Sequence, residues 1–204
     1  MSDAVKLSII YYSSTGIGTE IAKTLAAEAE AAGAEVRLRR VTELAPDVAI
    51  DSNPAWRANV DATREIPEAT ADDVVWADAV LFGSPTRFGN ISSQLKQFID
   101  TLGGQWAQGQ LADKVYSGFT STSTTHGGQE STLLALYNTF HHFGGIVVAP
   151  GYTDGAKFAD GNPYGTSHVD AQGANQVDDT TRKAAAVQAR RVVGVAQALK
   201  NGRA

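Results

Sequence analysis

Apolar positions along this chain fall into short unbroken runs separated by longer stretches in which they recur every three or four residues, the pattern of alternating strands and helices. Lys6 to Tyr12 is a β-branched and aromatic run of strand length, nearly continuous in hydrophobicity, as a parallel strand covered on both faces requires. After the polar loop that follows it, Ile17, Ile21, Ala22, Leu25, Ala29 and Ala32 share one helical face, and Gly33 is placed to stop the helix. Val36 to Val41 alternates Val36 and Leu38 with Arg37, Arg39 and Arg40, which predicts a second strand nearer the sheet edge. Residues 42–69 lack sustained periodicity and carry Pro46, Pro54 and Pro67, so they read as a long excursion with one short helical turn around Trp56.

Thr70 with Asp73 three residues on forms a capping-box pattern for a short helix through Val74, Val75 and Trp76, which leads into a third strand at Val80. Beyond the loop Pro85 to Asn90, a helix starts at Ile91 and places Ile91, Leu95, Phe98, Ile99 and Leu102 on one face. Gly103-Gly104 ends it, and Trp106 lies just beyond. Val115 to Phe119 predicts a fourth strand, Leu133, Leu134, Tyr137 and Phe140 a helix, and Ile146 to Ala149 a last core strand after Gly144-Gly145. Residues 150–177 are rich in Gly, Asp and Asn and too long for a passive connection, which marks a functional or interface loop. A final helix from about Asp178 buries Ala189, Val192, Val193, Ala196 and Leu199. The expectation is one domain over residues 1–204, an α/β fold with a doubly wound five-stranded parallel sheet, helices on both faces and loop insertions at about 42–69 and 150–177.

Composition narrows the chemistry. With 17 basic against 22 acidic residues and a net charge of −5, the chain has no basic run to track a phosphate backbone, so nucleic acid is not an expected partner. No apolar run approaches the roughly 20 residues of a membrane span, and the start Met-Ser-Asp-Ala-Val-Lys lacks the features of a signal peptide, so the expected location is cytoplasmic. The absence of cysteine excludes disulfides, thiolate nucleophiles and cysteine-ligated metals. No metal is expected, and redox chemistry needs a bound organic cofactor.

In an open α/β sheet, ligands bind beyond the carboxyl ends of the strands, which points to three loops. The first, Ser13, Ser14, Thr15, Gly16, Ile17 and Gly18, sets hydroxyls and backbone N–H groups at a helix N-terminus, where an anion is favoured. It has no lysine and no third glycine, which disfavours a triphosphate or a dinucleotide and suits a monoester phosphate; the alternative is an ordinary turn with Ser/Thr caps. In the second, Pro85 stiffens the strand exit and Gly89 permits close backbone approach, so Thr86, Arg87 and Phe88 present N–H groups and an aromatic edge to a flat heterocycle; the alternative is a tight turn with a surface Arg and a core Phe. The third, Ser121, Thr122, Ser123, Thr124, Thr125 and His126, supplies donors and no carboxylate; the alternative is a polar surface loop.

Four segments go further: Pro85-Thr-Arg-Phe-Gly-Asn90, Gly103-Gly104 with Trp106, Gly127-Gly-Gln-Glu130 and Pro163-Tyr-Gly165. Through them the chain resembles, along nearly its whole length, the WrbA family of flavodoxin-like NAD(P)H:quinone oxidoreductases. The resemblance implies FMN, with Ser13 to Gly18 at its phosphate, Thr86 to Phe88 on the isoalloxazine and Ser121 to His126 at the polar end. It also implies a catalytic role for His142, beside the flavin, and for Trp106, walling the substrate side, NADH or NADPH and small quinones as substrates, and a homotetramer with shared sites; the alternative for His142 is a structural histidine at a helix end. Arg87 is a further substrate-side candidate on charge alone, placed to balance the flavin or the phosphates of an incoming nicotinamide nucleotide. The implied reaction is a ping-pong two-electron transfer. The chain departs from the family at Thr15 and Ile17, where the family carries Tyr and His, in the less Gly-rich third loop, and at Phe143, which replaces the second of two histidines. The alternative function is a flavodoxin-type single-electron carrier, which the two long loops and the modest net charge disfavour. A third, an accessory to a DNA-binding repressor, finds nothing basic in its support.

Overall fold

The computed structural model describes residues 3–203. β1 (Lys6–Tyr11) is buried from Leu7 onward and passes through the hydroxyl loop directly into α1 (Ile17–Ala31). β2 (Glu35–Arg40) lies at the sheet edge, as its alternating arginines predict. The next stretch corrects the expectation of an excursion with a single helical turn, because it holds two helices, α2 (Asp47–Asp51) and α3 (Pro54–Ala62). Pro54 starts α3 rather than breaking it: the first turn needs no N–H from it, and the Asn53 side chain caps the helix by accepting from the N–H groups of Ala55 and Trp56.

The capping box of Thr70 and Asp73 is present and opens α4 (Ala71–Trp76). Buried Asp73 also accepts from Arg39 at 3.0 Å and Arg37 at 3.2 Å, which ties this helix to β2. β3 (Ala79–Pro85) follows, then α5 (Ser93–Asp100), whose N-cap is Ser92, so the helix begins just after Ile91. Gly103-Gly104 do not end that helix. They open a further one, α6 (Gly103–Ala107), which carries Trp106. β4 (Val115–Thr122) continues past Phe119, so Thr120, Ser121 and Thr122 are strand residues rather than loop. After it come α7 (Gln129–His142), the two-residue β5 (Ile146–Val147), α8 (Gly155–Asp160), β6 (Thr166–Val169) and α9 (Asp179–Arg203).

All pairings are parallel in the order β2-β1-β3-β4-β5, with β6 also on β4. Among the described residues the five positions of the expected parallel sheet are all present, and the last of them is shared by β5 and β6. β5 pairs with Val115 and Tyr116, and β6 takes up the same edge farther on, pairing Thr166 with Phe119 and Val169 with Thr122. Gly165 sits where the edge resumes: a Cβ there would stand 2.2 Å from the carbonyl oxygen of Gly118. Apolar residues of α1 and α9 cover one face of the sheet, and those of α4, α5 and α7 cover the other.

The segment between β5 and β6 carries its own buried ion pair. Lys157 and Asp160 are 0% and 3% exposed, pair with each other, and the Lys157 ammonium also donates to the Gly165 carbonyl at 3.1 Å. Burial pushes the lysine pKa down and the aspartate pKa up, and the pair's mutual attraction opposes both. Removing one partner strands a buried charge. Asp160→Ala is therefore expected to destabilise the fold by about 3–5 kcal/mol in urea unfolding, whereas Lys157→Met with Asp160→Leu together loses much less.

Candidate active site

Parallel pairing delivers the exits of β1, β3, β4 and β6 to one edge of the sheet, where they enclose a crevice of about 360 Å³. Ser13, Ser14, Thr15 and Ile17 line it from the first loop, Pro85, Thr86 and Arg87 from the second, and Ser121, Thr122 and Ser123 from the end of β4. Asn53 and Ala55 at the start of α3 close one side. Asp170, Gln172, Gly173 and Gln176, just after β6, close another.

The first loop is built to receive an anion. α1 starts at Ile17 behind Gly16 (φ 100°), and no side chain caps it, so helix geometry leaves its first N–H groups without a protein partner. The Ser13 hydroxyl accepts from the Gly16 N–H at 3.1 Å and retains its own proton to donate. Among the described residues lining the crevice, Arg87 is the one cation and Asp170 the one anion, so an anion there is held by dipoles and hydroxyls more than by net charge.

The second and third loops lock together. The Thr86 N–H donates to the Ser121 carbonyl at 2.9 Å, and the Thr86 hydroxyl lies 2.8 Å from that of Thr132 and accepts from the Gly89 N–H at 3.2 Å. Gly128 (φ 93°) permits the approach, since a Cβ there would stand 2.9 Å from the Gly89 Cα. Phe88, next to Arg87, has φ 54° and a fully exposed ring, so it is not a core residue.

A family model described as NADPH-dependent FMN reductase matches residues 5–159. The chain belongs to this FMN reductase family. A protein of Deinococcus radiodurans named NAD(P)H dehydrogenase (quinone) is 52% identical over 82% of this chain and 84% of its own length. One of the same name from Aromatoleum aromaticum is 40% identical over 98% of this chain and 100% of its own. The crystal structure of a flavodoxin, WrbA-like protein from Agrobacterium tumefaciens aligns with a TM-score of 0.68 at 23% identity, covering 96% of this chain and 99% of that one. The flavodoxin-like fold and the WrbA resemblance are both borne out.

Not every sequence-derived candidate of this FMN reductase family member reaches the crevice. Gly16 and Gly18 shape the first loop from behind, with Gly18 buried in the first turn of α1. Phe88 and Gly89 follow the lining residues, and exposed Thr124, Thr125 and His126 lie beyond them. Trp106 and His142 meet each other elsewhere: the Trp106 indole N–H donates to the His142 carbonyl at 2.8 Å, and both side chains line a second groove with Lys96, Leu102 and Phe143. Asn53, Asp170, Gln172 and Gln176 line the crevice with no motif in the sequence to mark them. The only signal for them was the unexplained length of the 42–69 and 150–177 stretches.

The α3 side of the crevice depends on one carboxylate. Glu43 accepts from the Tyr12 hydroxyl and the Trp56 indole, each at 2.9 Å, from Gln94 at 3.0 Å, and from the N–H groups of Leu44 and Ala45. Burial alone would raise its pKa, but the donors from Ala45, Gln94, Trp56 and Tyr12 outweigh it and hold the group below its ordinary 4.5. A depressed carboxylate stabilises the fold above its unfolded pKa, and that contribution is lost as pH falls through the folded value. Melting temperature should accordingly drop as pH is lowered below about 4.5, and Glu43→Gln, less stable at pH 7, should show a shallower drop.

Proposed function

We propose that this chain is an FMN-dependent NAD(P)H:quinone oxidoreductase, acting as one flavodoxin-like domain. The observation that carries the reading is the crevice itself, where an uncapped helix N-terminus ringed by Ser13, Ser14 and Thr15 opens onto the interlocked exits of β3 and β4. Its volume lies within the range of small-molecule sites, roughly 300–1,000 Å³. Bound FMN supplies an acceptor for hydride from the nicotinamide and a donor of two electrons to the quinone.

The residues around it bind and orient. The first loop holds the phosphate through hydroxyls and helix N–H groups. Pro85 to Arg87 and Ser121 to Ser123 hold the ring system, their neutral donors stabilising negative charge as it develops. Phe88 offers an aromatic edge beside Arg87.

The groove of Trp106 and His142 lies outside the lining of the crevice in its own chain. We infer a homotetramer in which this groove on one copy completes the crevice of another, with Trp106 walling the quinone. Among the described residues no helix is long and apolar enough to cross a membrane.

Anaerobic addition of NADH or NADPH to the FMN-loaded protein should bleach the flavin in one two-electron step, and benzoquinone should restore the colour. A bound flavin that neither nucleotide reduces would refute the enzyme and leave the single-electron carrier. Light scattering should give four times the chain mass, and full activity at the monomer mass would overturn the shared site.

A further inference from the structure

α3 is an unusual helix. Each of its nine residues remains at least partly exposed, so no buried apolar stripe holds it on the molecule. Polar bonds hold it instead. Trp56 is fixed to Glu43, and Arg57 pairs with Asp47 and Asp51 at 2.6 Å each, anchoring α3 to α2. One turn after Trp56, Asn59 reaches the first loop of the crevice.

There the Asn59 amide spans both ends of the loop. Its Nδ2 donates to the Ser13 carbonyl at 2.8 Å, and its Oδ1 accepts from the Thr19 hydroxyl at 2.9 Å. The same oxygen lies 3.6 Å from the place a Gly16 Cβ would take, so the amide packs along the turn at residue 16. The orientation is determined, because a flipped amide would set its oxygen against the Ser13 carbonyl, acceptor against acceptor. Asn59 is therefore a strut from outside, fixing the residue before the turn and the residue inside the first turn of α1. Ser13 lines the crevice, and Asn59 does not.

We propose that Asn59 is a positioning residue for the phosphate of the bound flavin: it holds the Ser13 to Thr19 turn closed, so that the Ser13 hydroxyl and the free N–H groups of α1 converge on one anion. This rests on the FMN reading above. A neutral amide suits the task, since it cross-links the loop without setting an anion behind a phosphate. Because Asn59 acts only through the first loop, it matters at the phosphate end and not at the ring system.

The test compares FMN with riboflavin, which lacks the phosphate. Flavin fluorescence titration should show Asn59→Ala weakening FMN by about tenfold, the loss of one well-formed hydrogen bond. Riboflavin affinity should change by less than about twofold, so the FMN to riboflavin ratio collapses. Thr19→Val, which leaves the Ser13 bond but frees the amide to swing, should move the ratio the same way by a smaller factor and guards against a variant that does not fold. An equal loss for both flavins, or an unchanged ratio in both folded variants, overturns the proposal and leaves the FMN reading intact. Failure of the unaltered protein to bind FMN overturns both.

Discussion

The backbone ladder of β4 is the constraint on which the rest depends. All eight of its residues are buried, and its N–H and C=O groups must be paired on both edges because no water reaches them. β3 satisfies one edge along its length, from Ala79 opposite Val115 to Pro85 opposite Ser121. The other edge is divided, β5 taking its beginning and β6 its end. The chain leaves the sheet after Val147, folds α8 and returns to β4 at Thr166, and in the gap between the two strands the Gln188 side chain donates to the Gly118 carbonyl at 2.8 Å. Gly165 and the buried Lys157–Asp160 pair mark that return, and the turn carrying Asp170, Gln172 and Gln176 is set beside the crevice because β6 ends there.

Ladders place the loops; side-chain polar bonds give them shape. Thr86 is anchored to β4 and α7, and the first loop to α3. The two anchors differ in kind. The second loop is fixed from elements of the sheet core, whereas the first depends on a helix that owes its place to Glu43, Arg57 and Asn59. Because α3 buries no residue, the sheet core does not rest on it, although one wall of the crevice does.

The sequence made the parallel core legible because strands buried on both faces and helices with one apolar face leave periods that can be counted. The elements it concealed lack such periods. α3 buries no stripe and begins with Asn-Pro, a pair that reads as a break until its cap is seen. β6 is Thr-Ser-His-Val, whose first three residues are buried although polar: Ser167 accepts from Asn162, His168 bonds Thr181, and the Thr166 N–H donates to Gln188, while the Thr166 hydroxyl is buried without a partner. The end of β4 is concealed in the same way, since Thr120 reads as loop yet gives its hydroxyl to the Ser84 carbonyl at 2.7 Å. In the crevice the three loops were legible because Ser, Thr, Gly and Pro act locally. Asn53 and Asp170 were not, since only tertiary structure brings them near.

Holding an anion with dipoles and hydroxyls has a consequence for what else the crevice admits. Its two formal charges, Arg87 and Asp170, are of opposite sign, so the lining exerts little long-range attraction and discriminates through the positions of its donors. Hydroxyls and helix N–H groups lose strength steeply once distance or angle departs from ideal, whereas a lysine on a flexible stem tolerates displacement. A site of this kind must therefore be rigid before its ligand arrives. That requirement accounts for the density of polar cross-links behind lining residues that themselves carry little charge, from the five donors on Glu43 to the amide that closes the first loop.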